Sequence, residues 1–177
     1  MKKKIALWVV LLLPYAGLFG VWRWYEHRIT KIEHSSFVVV SKEDMTLTIY
    51  NYTGKIIGQY PVACGKSMGN KTIQGDMKTP EGIFPICDIQ NASEWKHDFG
   101  DGRGSVQGAY GPFFIRLFTP GHQGIGIHGT VDDESIGTRA TEGCIRLRNK
   151  DLKELVKKVK IGDVVIITPS KQDVRLY

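Results

Sequence analysis

The chain has 177 residues, of which 42% are hydrophobic and 24% charged, and it carries a formal net charge of +6. That size suits one ordinary domain plus an appendage, and the composition excludes a disordered chain. The basic balance does not point to nucleic acid. Residues 1–35 hold six Lys/Arg and two Glu, a net of +4, which leaves only +2 for the rest of the chain.

The first element in chain order is Ile5 to Trp22, eighteen residues without a charge, between Lys2-Lys3-Lys4 and Arg23. The run is apolar all round, which argues against a surface helix. Its length lies at the short end for a membrane span and is long for a signal-peptide core. Trp22, Trp24 and Tyr25 suit a membrane interface. No small-x-small cleavage site follows, and no cysteine is present for lipoprotein processing. The expectation is therefore an uncleaved N-terminal transmembrane helix over residues 1–25, with the membrane as a partner and the rest of the chain exported. Residues 26–35 read as a polar linker.

From Ser36 onward the pattern is β. Phe37 to Ser41 is rich in β-branched residues, and Met45 to Tyr50 alternates with Met45, Leu47 and Ile49 inward. Asn51 to Gly54 is a turn, and Lys55 to Cys64 is predicted to return as the second strand of a hairpin, with Pro61 marking an edge or a bulge. A loop from Gly65 leads to Thr79-Pro80-Glu81-Gly82-Ile83-Phe84-Pro85-Ile86, a turn entering a strand. Residues 87–109 show no clear period, and Trp95, His97 and Phe99 there either line a cleft or pack a loop. Strand character resumes over 109–117. Near the end, Leu152, Leu155, Val156 and Val159 form one apolar helical stripe. Asn149 is the predicted N-cap and Gly162 the stop. Asp163 to Thr168 is a last buried strand, and residues 169–177 read as a tail.

The densest chemistry lies in residues 122–149. Period-2 alternation in Gly124-Ile125-Gly126-Ile127-His128 puts the isoleucines in the core and His128 on the opposite face, over a surface left bare by Gly126. In Gly143-Cys144-Ile145-Arg146-Leu147, the same rule buries Ile145 and Leu147 and puts Cys144 beside Arg146. If the two strands are neighbours, His128, Cys144 and Arg146 meet on one surface. An imidazole can take a thiol proton, and a guanidinium favours thiolate and binds carboxylates. Backbone amides around Gly143 and Cys144 can donate to a developing oxyanion. His122 is about 20 Å from His128 along an extended strand, too far to share a zinc site with it.

These residues resemble the signature of the L,D-transpeptidase family of cell-wall enzymes, the YkuD-type catalytic domain. The matching pieces are Ile127-His128-Gly129-Thr130, Ser135-Ile136-Gly137 and Thr141-Glu142-Gly143-Cys144-Ile145-Arg146. The stretch Thr79 to Ile86 is similar to a second family motif. The resemblance covers residues 36–168. It implies a mainly β catalytic domain, a mixed-strand sandwich or open barrel with one late α-helix. It implies Cys144 as nucleophile, His128 as base with its tautomer set by the Gly129 carbonyl, and Gly143 at the oxyanion site. Arg146, Thr141 and Tyr110 would then contact substrate. The implied partners are peptidoglycan stem peptides, with no metal or cofactor, and the implied location is the bacterial cytoplasmic membrane with the domain exported. One departure is Glu142, where many members have His; a carboxylate there would raise the thiol pKa if it came near. Water or a lipoprotein lysine could replace the stem amine as acceptor, and an inactive wall-binding module is the alternative of another class. Cys64 and Cys87 could pair in an oxidising compartment or remain free thiols.

Overall fold

The computed structural model describes residues 15–26, 36–100, 102 and 104–174, and the chain forms two compact units, residues 1–35 and 36–177. In the first unit the described part is one helix, α1 (residues 15–26). Tyr15, Leu18, Phe19, Val21, Trp22, Trp24 and Tyr25 on it are exposed. The expected transmembrane helix is overturned here. The described residues 15–26 cover about 18 Å at 1.5 Å per residue, against a hydrocarbon core of about 30 Å. Among the described residues no helix is long and apolar enough to cross a membrane. Residues 5–14 of the predicted span, and the linker residues 27–35, lie outside the described residues. The membrane as partner and the cytoplasmic membrane as location rested on that helix, and both fall with it.

The second unit is built on one mixed sheet curled into a half-barrel. Its strands are β1 (Ser36–Ser41), β2 (Thr46–Asn51), β3 (Ile56–Pro61), β5 (Gly82–Asn91), β8 (Phe113–Leu117), β9 (Gly126–His128), β11 (Ile145–Arg146) and β12 (Val164–Thr168). They lie in the order β11-β9-β8-β5-β12-β1-β2-β3. Two pairs, β1 with β12 and β9 with β11, are parallel, and the others are antiparallel. Val38, Val40, Leu47, Ile49, Val165 and Ile167 fill the core from the central strands. The late helix α2 (Asn149–Val156) adds Leu152 and Leu155 to the same core, and Val159 follows in the turn beyond it. Each of these is an aliphatic side chain at the spacing its element requires, and burying one fully is worth about 1.5–3 kcal/mol.

Two local expectations change. The strand predicted over Lys55 to Cys64 ends at Pro61, on the outer strand β3. Proline has no N–H to donate to a ladder. Beyond it Val62 and Ala63 turn into the core, and Ala63 exchanges two backbone hydrogen bonds with Arg146. Cys64 and Gly65 then form β4 (Cys64–Gly65), which pairs in parallel with β10 (Arg139–Thr141). The second change is Asn149, which is the first residue of α2 and not its cap. The N-cap is Arg148, without a side-chain cap hydrogen bond.

Residues 87–109 contain a separate hairpin, β6 (Lys96–Asp98) and β7 (Ser105–Gln107). The last piece, α3 (Lys171–Val174), buries Asp173 completely. Cys64 is a buried free thiol and Cys87 an exposed one, so the two are unpaired.

Candidate active site

The short strands β9 and β11 lie side by side, Ile127 opposite Ile145 and His128 opposite Arg146. Ile127, Ile145 and Leu147 are fully buried, as alternation requires. The other face opens on a cavity of about 400 Å³ whose walls include His128, Cys144, Arg146, Thr141 and Tyr110. The sequence-predicted side chains therefore share one space, with the backbone of Gly129 and Gly143 adjoining it through His128 and Cys144.

His128 is nearly sealed from solvent, contrary to the expected bare face. Gly126 lacks a side chain because the Phe114 ring stands over it, where a Cβ would collide with that ring and with the Ile115 carbonyl. Phe114 stacks on the imidazole at 5.8 Å, and Tyr110 meets it edge-on at 4.9 Å. His128 Nδ1 is 2.6 Å from the Gly129 carbonyl oxygen. A carbonyl only accepts, so Nδ1 carries the proton and Nε2 keeps a lone pair. Burial pushes the imidazole pKa down to about 4; the Gly129 hydrogen bond opposes this, while Arg146 and His97 add to it. At neutral pH the ring is an uncharged base.

Cys144 follows a loop that only glycine can make. Gly143 has φ +133°, and a Cβ there would stand 2.7 Å from the Lys78 carbonyl oxygen. Thr141 ties this loop together. Its hydroxyl donates to the Cys144 carbonyl at 2.6 Å and accepts from the Gly143 amide at 3.2 Å. Thr141 is itself buried, so its polar atom serves the loop. The thiol donates to the Gly124 carbonyl at 3.3 Å. Burial pushes its pKa up to about 11; a Gly126 backbone hydrogen bond, Lys71 and Arg146 pull it down, and Glu142 adds to the rise. The guanidinium thus acts on the thiol in the expected direction, but burial outweighs it. Glu142 also acts as expected, as a minor cause. At neutral pH the thiol and the imidazole are both uncharged.

Arg146 is buried beside them. Its Nη1 donates to Ser135 Oγ at 3.0 Å and lies 4.0 Å from Asp132, and its guanidinium faces the Phe99 ring at 5.9 Å. Its Nε is buried and, among the described residues, has no hydrogen-bond partner. Native proteins rarely leave such a donor without a partner. Across the cavity, His97 on β6 brings Nδ1 to 3.0 Å from the Tyr110 hydroxyl and Nε2 to 3.5 Å from the Glu142 carboxylate.

Lys71 and the role of Asn149 escape sequence reasoning, which leaves His97 and Phe99 open between lining a cleft and packing a loop. Lys71, buried in the loop before β5, pairs with Asp76 at 2.8 Å and lines the cavity near Gly143. Burial alone would raise the Asp76 carboxyl, but Lys71 and the amides of Thr72, Lys78 and Ile73 hold it far below the usual carboxylate range. Asn149 clasps Thr130 through both halves of its amide, accepting from Thr130 N at 2.9 Å and donating to Thr130 O at 2.8 Å. It sits against Gly111 and Gly129, where a Cβ on either would strike its amide oxygen. His97 and Phe99, in a stretch without period, line the cavity and do not merely pack a loop. The only hint in the sequence was the co-occurrence of Trp95, His97 and Phe99. Among the described residues no group of three His, Cys, Asp or Glu could hold a metal ion.

Comparison with known proteins supplies the context for this geometry. A family model described as the L,D-transpeptidase catalytic domain, YkuD, matches residues 35–167. The Bacillus licheniformis protein named as an L,D-transpeptidase, YkuD, is 32% identical over 132 residues, spanning 75% of this chain and 65% of that protein, a little under two thirds of its length. The Bacillus subtilis protein named as an L,D-transpeptidase, YqjB, is 31% identical over 134 residues, 75% of this chain and 70% of that one. Among solved structures, the helical cell shape determining protein Pgp2 from Campylobacter jejuni superposes with a TM-score of 0.57 at 28% identity, covering 77% of this chain and 49% of that chain.

Proposed function

The chain belongs to the L,D-transpeptidase catalytic-domain family, and from that premise we propose that it forms peptidoglycan cross-links through an acyl-enzyme on Cys144. The observation that carries this is the parallel pairing of β9 with β11. It sets His128 opposite Arg146, two residues from Cys144, on a single cavity.

In this proposal Cys144 Sγ attacks the carbonyl of the third residue of a tetrapeptide stem, a diamino acid. Thiol and imidazole begin uncharged, so proton transfer to His128 Nε2 accompanies the attack and does not precede it. The Gly129 carbonyl, as acceptor from Nδ1, steadies the imidazolium that forms. Gly143 N–H is engaged by Thr141, which leaves the Cys144 amide as the oxyanion donor of the loop. His128 then protonates the departing D-Ala amine. Arg146, with Nε available, holds a carboxylate of the donor peptide. Tyr110 packs on His128 and takes its hydroxyl to His97, so it shapes the donor wall. The thioester finally passes to an amine of a second stem, giving a 3→3 cross-link.

The test is to incubate the full chain with disaccharide-tetrapeptide and identify products by mass spectrometry. A dimer that has lost one D-Ala, absent with Cys144→Ala, is the expected result. Tripeptide alone would make water the acceptor. No product, and no carbapenem adduct on Cys144, would refute the acyl-enzyme.

A further inference from the structure

Cross-linking needs a second substrate that arrives as an ammonium ion, and the cavity holds a group suited to it. Its cationic wall residues include Lys71, Arg116 and Arg146, and among the described residues that line it Glu142 is the sole carboxylate. Lys71 is already matched by Asp76 at 2.8 Å. Among the described residues Glu142 forms no ion pair with a lysine or arginine. His97 Nε2 lies 3.5 Å from it, on a ring that carries charge only when protonated. The Glu142 side chain is 43% exposed, two residues before the nucleophile, so an incoming group can reach it without displacing the core. Its charge is felt at Cys144 and Tyr110, where it opposes ionisation of each, and weakly at Arg146, whose charged form it favours.

We infer that Glu142 is the acceptor-binding residue, whose carboxylate receives the primary ammonium of the incoming amine beside the Cys144 acyl group. This rests on the acyl-enzyme proposed above and adds what selects the second substrate. The cationic side of the cavity takes the carboxylates of the donor, and the single carboxylate takes the ammonium of the acceptor. The ammonium loses one proton to solvent at the cavity mouth. The amine nitrogen then bonds to the thioester carbonyl carbon as the carbon–sulfur bond breaks. His128 Nε2 takes the second amine proton and returns it to Sγ, which regenerates the free thiol. His97 occupies the carboxylate when no amine is bound.

The experiment separates acceptor binding from acylation. The donor is a tetrapeptide stem with its side-chain amine acetylated, so that it can only donate, and the acceptor is a tripeptide stem at varied concentration. The readout is the ratio of cross-linked to hydrolysed product, which is independent of how fast Cys144 is acylated. Glu142→Gln in the full chain is expected to lower this ratio about tenfold at low acceptor, the scale of one lost charged hydrogen bond, and saturating acceptor restores it. Glu142→Asp, which keeps the carboxylate, retains most of the ratio. An unchanged ratio in Glu142→Gln overturns the assignment, and so does an equal loss in both variants, because the charge is then not the cause. A wild-type chain that only hydrolyses the donor also overturns it. A wild-type chain with no acyl adduct on Cys144 overturns the acyl-enzyme itself.

Discussion

Asp173 and Arg146 are both charged and both nearly sealed from water, yet their surroundings follow opposite rules. Asp173 accepts from the amides of Gly69 at 2.6 Å and Ser170 at 2.8 Å and from Arg139 at 3.1 Å, and Lys42 lies at 3.0 Å. Lys42, fully buried, also meets Glu81 and the Gly69 carbonyl. That cluster joins the C-terminal helix, the loop before β5 and strand β10 with its hydrogen-bonding capacity filled. Among the described residues Arg146 has no hydrogen-bond partner for Nε and pairs with Asp132 only at 4.0 Å. A buried charge with a complete set of partners holds the fold together. One with an incomplete set has a donor left over for a further partner.

The sharpest way to test this contrast is Asp173→Ala, which strands Arg139 without a counter-charge and leaves Lys42 with Glu81 alone. A loss of about 3–5 kcal/mol is expected, read by urea or thermal unfolding. The effect also has a pH signature. Burial alone would raise the Asp173 carboxyl, but the amides of Gly69 and Ser170, the Ser170 hydroxyl and Lys42 hold it well below the usual carboxylate range. Its stabilising effect is therefore complete above the unfolded value of about 3.9 and lost as pH falls below it. The variant should lack that component.

Arg146→Gln should separate the two regions. Cross-linking is expected to fall about 10- to 100-fold through loss of a charged hydrogen bond to the donor, while stability changes by about 1 kcal/mol or less. A stability loss as large as that of Asp173→Ala would erase the distinction.

The pH–rate profile tests the uncharged pair. With the His128 imidazole pushed down to about 4, the acid limb of cross-linking should fall near that value and not near 6.5. The unfolded chain binds this proton at about 6.5. Stability should therefore also decline as pH falls from about 6.5 to about 4, a decline that His128→Gln removes.

The smallest effect expected is from Asn149→Ala, about 1 kcal/mol from the lost clasp on Thr130. Because that clasp lies next to Gly129, the carbonyl partner of His128, the rate should fall more than the stability does.

Much of the site was legible because it is written in short-range patterns. Alternation placed Ile127, Ile145 and Leu147 inward, as found. The helical stripe through Leu152 and Leu155 followed from period alone. What failed were inferences that treated a local feature as self-sufficient. Gly126 looked like open space and proved to be the seat of the Phe114 ring. Asn149 looked like a cap and proved to be a clasp on another segment. The apolar run before Arg23 suggested a membrane span, while the helix described there covers only residues 15–26.

The sequence by itself determined most strands of the main sheet, the late helix, and a histidine and a cysteine in the motifs of one enzyme family, because alternation and periodicity act within a few residues. Tertiary structure alone decided that His128 is buried and uncharged, that Arg146 keeps an idle donor, that His97 faces Glu142, and that Asp173 closes a buried ion cluster. Those properties depend on which distant side chains remove water from a group and which replace it, and spacing along a chain does not encode that.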